Sequence, residues 1–463
     1  MAVTSRPREI SPLERGASST LRVPSGRRTS SAYARWVDLR TTVRRVTRDG
    51  AVIAVAMAIM NLTTYGFTIL AARFLGPEEY GALAAVMGLL LVVNVLSLGL
   101  QATGARRVSA SSDHARDLPT LESQVMSTSY ESALVLGVLT LAATPLVAAV
   151  LNLDSWAAAA LIAVTAVPLS VMGGQAGILQ GERRWAPLAA IYVAMGVGRL
   201  GFGALGLLLD RDDLGAMAGI AVGAFLPVVV GWLALRHPSR GRGAAAPATR
   251  PRSRWLPGGV LRETLHNSHA LLAFFALSNT DVVIARSVLG EHPAGLYAGG
   301  LILTKAVLFL PQFVVVIAFP SMSKRESDRR THLVGLALVL TIGVVTVAAV
   351  AVLSGLALVF IGGPEYAALQ GRLWMFAVLG TVLAMLQLMV YDVVARQHQR
   401  MVFVVWAALV VLACVAPFVG SVNSLLGVVV TVDVVLLLVL LAASLLVRTS
   451  ATEPSPEHST VAG

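Results

Sequence analysis

The chain has 463 residues, of which 56% are hydrophobic and only 13% charged, and its formal net charge is +11. A soluble domain carries about a quarter charged residues, so this composition excludes a water-coated globule. The lone cysteine, Cys414, excludes an internal disulfide and a cysteine-rich metal site, and no cofactor or metal is expected.

The first 49 residues are basic and rich in Ser and Arg, and their low hydrophobicity predicts a disordered tail. Within it, residues 36–48 place Trp36, Leu39, Val43 and Val46 on one helical face with arginines opposite. Two readings stand for this stretch: a short helix lying on an anionic leaflet, or a solvated tail that sets orientation. The first apolar run begins near Ala51 and is too long for a signal-peptide core, so no cleavable signal is expected.

Runs of about 20 apolar residues then predict twelve membrane helices in an all-α fold. They fall near 50–72, 81–101, 125–150, 156–179, 187–209 and 214–235. A basic Pro/Gly/Arg-rich linker at 236–265 follows. The second set lies near 266–289, 295–320, 332–361, 371–394, 401–420 and 424–447, ahead of a polar tail at 448–463. Lobes at 50–235 and 266–447 are the expected domains.

Arginine and lysine test this map independently, because cytoplasmic segments carry them in excess. With the N-terminus inside, thirty of the 36 fall in the two tails and the alternate inside loops. The outside loops hold only Arg73, Arg211, Arg286 and Arg372, and Arg199 and Lys305 lie within spans. Both termini are therefore expected in the cytoplasm, and the positive charge reads as topology, not as a nucleic-acid footprint. Abundant Ala, Val, Gly and Arg with two lysines points to a GC-rich bacterial genome, hence a bacterial cytoplasmic membrane.

An internal repeat supports the division into halves. RFLGPEEYG at 73–81 precedes the second helix, and RSVLGEHPAG at 286–295 precedes the eighth. Each half has an even number of spans, so the repeats are parallel, related about the membrane normal, as in many transporters.

Four segments carry a resemblance: ARFLGPEEYGALA ending in Arg106-Arg107, the glycine-rich 177–209, the stretch from Asp281 to Lys324, and FIGGPEYAALQGRL at 360–373. At these residues the chain resembles the polysaccharide flippases of the multidrug/oligosaccharidyl-lipid/polysaccharide exporter superfamily. The resemblance implies two six-helix lobes around a central cavity and export of lipid-linked sugars by alternating access. The long basic tail and extended linker depart from the common pattern.

A charge within a span costs about 2.5–3.5 kcal/mol on the insertion scale, so each one is a functional candidate. Arg199, Asp281, Lys305 and Asp433 all lie about 12–15 Å inside their spans, near the midplane. Arg199 and Lys305 are expected to attract the pyrophosphate of a lipid-linked sugar. Asp281 and Asp433 are candidates to release and rebind a coupling proton or sodium ion. A structural ion pair between Asp281 and Lys305, and a helix–helix hydrogen bond at Asp433, are the competing readings. Asn61, Asn94 and Asn279 are cavity candidates, with bonding to a neighbouring helix as the alternative. Arg73 and Arg286 either meet substrate at the outer mouth or snorkel to headgroups. The glycines of helix five and Gly173/Gly177 of helix four read as close packing or as hinges.

The expected partners are an anionic lipid-linked glycan, membrane lipids and polysaccharide-assembly proteins. A cation-coupled drug or metabolite exporter and a peptidoglycan-precursor flippase share the predicted fold. A membrane glycosyltransferase or polymerase is disfavoured by outside loops of only a few residues, and a non-transporting scaffold completes the alternatives.

Overall fold

A computed structural model describes residues 27–110, 118–236, 258–322, 329–395 and 399–450. The expected disorder of residues 1–35 lies outside the described residues except for 27–35, which are helical; most of the linker and the end of the C-terminal tail also lie outside them. Residues 1–48 form one unit and residues 49–463 the other. Residues 36–48 are helical, but their side chains lie outside the described residues.

The described residues fold into fifteen α-helices and two short 3-10 turns, and contain no strand. Ten helical runs are long and apolar enough to cross a membrane. The first, Gly50–Ala110, turns at Gly76 and makes two spans, and α10 (Glu291–Met322) supplies the twelfth. Span one is the part of α1 (Arg27–Val93) from residue 50 to Gly76, and span two is its remainder with α2 (Val95–Ala110). Spans three to six are α3 (Leu118–Ala142) with α4 (Thr144–Val150), α5 (Trp156–Gly181), α6 (Trp185–Leu209), and α7 (Asp213–Gly223) with α8 (Phe225–Arg236). In the second half, α9 (Gly258–Val288) and α10 are spans seven and eight, and α11 (Arg329–Val352) with α12 (Ser354–Ile361) is span nine. The last three are α13 (Leu373–Ala395), α14 (Gln399–Val415) and α15 (Val422–Ser450). The chain is thus a multi-pass membrane protein of two six-helix repeats.

Local chemistry explains the turns at the face away from the termini, the loop face. Gly76 has φ +69°, which favours glycine, and Pro77 opens the next helix, where its missing N–H costs nothing. Glu78 and Glu79 follow in the first turn, where the helix dipole favours acids. Ser155 and Asp212 cap α5 and α7 by accepting from Ala157 N–H (3.1 Å) and Gly215 N–H (2.7 Å). The terminal-face ends run further than hydropathy alone predicts. Helix α3 begins at Leu118, seven residues before the expected 125, and α9 at Gly258 instead of 266. Hydropathy registers only the part of a helix in hydrocarbon, and these helices continue as polar turns beyond it.

Lipid-facing and packed surfaces separate cleanly. Leu134, Val138, Leu139, Val344 and Val345 are each 58–67% exposed, an apolar band that only a bilayer solvates. Inside the first lobe, α5 presents Gly173, Gly177 and Gly181 to span two. A Cβ at these positions would meet the backbone carbonyl oxygens of Ser97, Gln101 and Ala105 at 2.4, 2.7 and 2.9 Å. The small-residue stripe is therefore a packing seam between two backbones.

Candidate functional site

Three of the four mid-span charges come together in the second lobe. Helix α9 carries Ser278, Asn279 and Asp281, α10 carries Tyr297 and Lys305, and α15 carries Asp433. The Lys305 ammonium donates to the Ser278 carbonyl (2.6 Å) and to Asn279 Oδ1 (3.0 Å), not to either carboxylate. The Asn279 amide donates to the Phe275 carbonyl (2.8 Å), which turns its oxygen toward the lysine. Asp281 accepts from the Val282 N–H (2.9 Å) and from the Tyr297 hydroxyl (3.2 Å). Asp433 lies within electrostatic reach of Asp281, Lys305 and Tyr297, yet its Oδ1 is buried with no hydrogen-bond partner among the described residues. Asn279, Asp281 and Asp433 are 2–3% exposed, while Lys305 is half-buried. Two carboxyls and one ammonium thus stand in one buried group, with the ammonium bonded to Ser278 and Asn279.

Arg199 stands apart, in the first lobe. On α6 it shares the i, i+3, i+7 stripe with Gly196 and Gly203, the two glycines that face span one. A Cβ on these would meet Thr63 Oγ1 at 2.2 Å and the Phe67 ring at 2.5 Å. Gly198 and Gly206 face span six instead, so α6 is thinned on two sides and Arg199 sits beside the tight seams. Its side chain is half-buried and makes no hydrogen bond among the described residues. Two turns away, Gln101 donates to both the Tyr192 hydroxyl (2.7 Å) and Gln180 Oε1 (2.9 Å). Sequence reasoning missed this amide–phenol group; the signal was glutamines within apolar spans. It also missed Glu131, an acid inside the predicted span three. With α3 beginning at Leu118, Glu131 lies about 20 Å along the helix, and its Oε2 is buried without a partner among the described residues.

Asn61 lies one turn before Tyr65, whose hydroxyl donates to the Ile302 carbonyl of α10 (3.1 Å). Lys305 lies one turn beyond Ile302 on that antiparallel helix. Asn61 and Lys305 are therefore brought to one level on either side of the lobe boundary.

Arg73 and Arg286, equivalent in the repeat, both reach into the opposite lobe. Arg73 Nη2 donates to the Val359 carbonyl (2.5 Å) near the end of span nine. Arg286 donates to the carbonyls of Leu151 (3.0 Å) and Asn152 (3.2 Å) at the end of span three, and pairs with Glu291 (3.1 Å). Spans three and nine are themselves repeat equivalents, so the two arginines form a pseudo-symmetric pair of latches. Between them the repeat glycines meet: a Cβ on Gly81 would lie 2.9 Å from the Gly295 Cα, and one on Gly295 would lie 1.7 Å from the Pro77 carbonyl oxygen. Glu78 and His292, also equivalent, pair at 3.6 Å. The Tyr366 hydroxyl donates to the Ala72 carbonyl (3.3 Å). The loop face is closed by backbone-to-backbone contact along the repeat axis.

Among solved structures, the chain is similar to a multidrug resistance MATE family transporter of the MOP superfamily in an inward-facing conformation. The TM-score is 0.68 at 13% identity, over 88% of this chain and 100% of that one. It is also similar to the MATE multidrug transporter DinF-BH in complex with R6G (TM-score 0.57, 12% identity, 88% and 95% covered). The eukaryotic MATE transporter AtDTX14 gives 0.51 at 14% identity, with 87% and 96% covered. No curated protein matches in sequence. The fold, with its paired lobes, is the one these membrane transporters share. The chain belongs to the polysaccharide biosynthesis protein family, whose model matches residues 46–326.

Proposed function

We propose that the protein moves a lipid-linked oligosaccharide or polysaccharide precursor from the inner to the outer leaflet of a bacterial cytoplasmic membrane. The terminal face is cytoplasmic in this reading, so the latched loop face is extracytoplasmic and closed. The observation that carries the reading is the half-buried Arg199 guanidinium, unpaired among the described residues, in a member of a polysaccharide biosynthesis family. A guanidinium held in a low-dielectric lobe without a partner is suited to grip phosphate oxygens in two directions. Lys305 offers a second cation at the lobe boundary, near Asn61. The Asp281–Asp433 pair supplies the surplus negative charge at which a proton or sodium ion couples the motion. Polysaccharide-assembly proteins are the expected partners.

The test is a strain lacking the protein, complemented by wild type or by Arg199→Ala. Lipid-linked oligosaccharides are quantified by mass spectrometry, and their sidedness is read with an external probe. A completed, inward-facing pool relieved by wild type, and not by Arg199→Ala at equal membrane abundance, is the expected result. An unchanged pool in the null strain removes this substrate class. Equal loss of abundance and transport in Arg199→Ala rejects its binding role. The related MATE structures favour a second reading, a cation-coupled exporter of small molecules, for which drug sensitivity of the same strain is the readout.

A further inference from the structure

On the outer flank of the first lobe, α3, α5 and α8 enclose an open groove of about 390 Å³. Its walls include Tyr130, Phe225, Val229 and Trp232, which are 43–53% exposed, with Val171 on the inner side. The backbone explains the opening. Span six breaks between Gly223 and Phe225, just ahead of Pro227, and Pro168 lies inside the facing stretch of α5. The floor is pinned by Gln175, whose amide donates to the Val228 carbonyl (3.2 Å). Gly231 leaves room for that amide, since a Cβ there would fall 2.3 Å from Gln175 Oε1.

The terminal-face end of the groove carries a charge. The Arg236 guanidinium lies 3.3 Å over the Trp232 ring, which holds the cation at the groove mouth while its edges stay free to donate. Among the described residues Arg236 pairs with no carboxylate, whereas nearby Arg184 is engaged by Glu182 at 3.2 Å. Phe225 lies eleven residues from Arg236, about 16 Å along the helix. That is half of a hydrocarbon core of about 30 Å, the depth reached by one acyl chain of a lipid in the terminal-face leaflet.

We infer that this groove seats an anionic phospholipid, with an acyl chain between Tyr130, Phe225, Val229 and Trp232 and its phosphate on Arg236. The seat is separate from Arg199 and Lys305, and it holds whatever the transported substrate is. The test is native mass spectrometry of the full chain, titrated with phosphatidylglycerol or phosphatidylethanolamine of identical chains. Wild type is expected to bind one phosphatidylglycerol ahead of the rest, about fivefold tighter than phosphatidylethanolamine, the worth of one arginine at a membrane surface. Arg236→Gln is expected to erase the preference. Val229→Trp, which fills the groove from its exposed side, is expected to remove the first site for both lipids. Arg199→Ala is expected to keep the site intact. Equal wild-type binding of the two lipids, a preference that survives Arg236→Gln, a first site that survives Val229→Trp, or its loss in Arg199→Ala would each overturn the inference. Unchanged melting temperatures establish that the variants are folded.

Discussion

Gly295→Ala is expected to force open the closed loop face and to arrest transport. The added Cβ would fall 1.7 Å from the Pro77 carbonyl oxygen and 2.2 Å from its carbon. Both are backbone atoms, and no side chain can swing aside to relieve them. Overpacking of this kind costs about 1–3 kcal/mol or more, and here it falls only on the state in which spans two and eight touch. A two-state equilibrium then shifts by roughly 5- to 150-fold. The readout is a reporter cysteine at Ala72, fully buried beside the Tyr366 hydroxyl, in a chain whose single native Cys414 is replaced by serine. A membrane-impermeant maleimide is expected to spare the reporter in the parent and label it in Gly295→Ala. Gly290→Ala is the control, because a Cβ there meets only Pro293 Cδ at 3.8 Å. A folded Gly295→Ala chain with a protected reporter would mean that the glycine contact does not govern closure.

Lys305→Met is expected to destabilise the second lobe by about 1–3 kcal/mol, the usual cost of leaving a buried hydrogen-bond acceptor without its donor. The substitution leaves Asn279 Oδ1 without its donor and removes the positive charge whose field reaches Asp281 and Asp433. Adding Asp433→Asn removes one of the two stranded carboxylates, so the double variant is expected to be more stable than Lys305→Met alone. The coupling should reach about 0.5–3 kcal/mol in a double-mutant cycle. Thermal unfolding in lipid nanodiscs measures it. Additive losses would show that Lys305 and Asp433 act independently. Both variants are expected to lose transport, because each alters the charge balance proposed to couple it.

Much of the architecture was legible because its causes are local. Long apolar runs mark the spans, and the arginine bias orders them even where ends are off by several residues. The repeat was also legible: Gly81 and Gly295, and Glu78 and His292, stand at the same offset in the sequence, with Arg73 and Arg286 one residue off it. Their purpose was not. Both arginines bind backbone carbonyls of the opposite lobe, and every residue has a carbonyl, so nothing in the sequence marks Val359, Leu151 or Asn152 as acceptors. Depth along a helix placed four charges at one level, and the predicted lobes put Arg199 apart from the other three, but neither gave the rotation of each helix. Packing separates Arg199 from the Asp281–Lys305–Asp433 group, and it sends the lysine to Ser278 and Asn279 instead of into an ion pair. Glu131 stood inside the predicted span three, but only packing shows that its Oε2 is buried without a partner among the described residues.

Translocation of a lipid-linked glycan can be measured in a reconstituted membrane. Purified protein in proteoliposomes is given a polyprenyl-pyrophosphate-linked oligosaccharide in one leaflet, and its arrival in the other is followed by accessibility to a membrane-impermeant lectin or glycosidase. Protein-dependent translocation is expected, which Arg199→Ala and Gly295→Ala both abolish while remaining folded. No translocation of the lipid-linked glycan by folded wild type, with efflux of a small organic cation in the same vesicles, would contradict the proposed function.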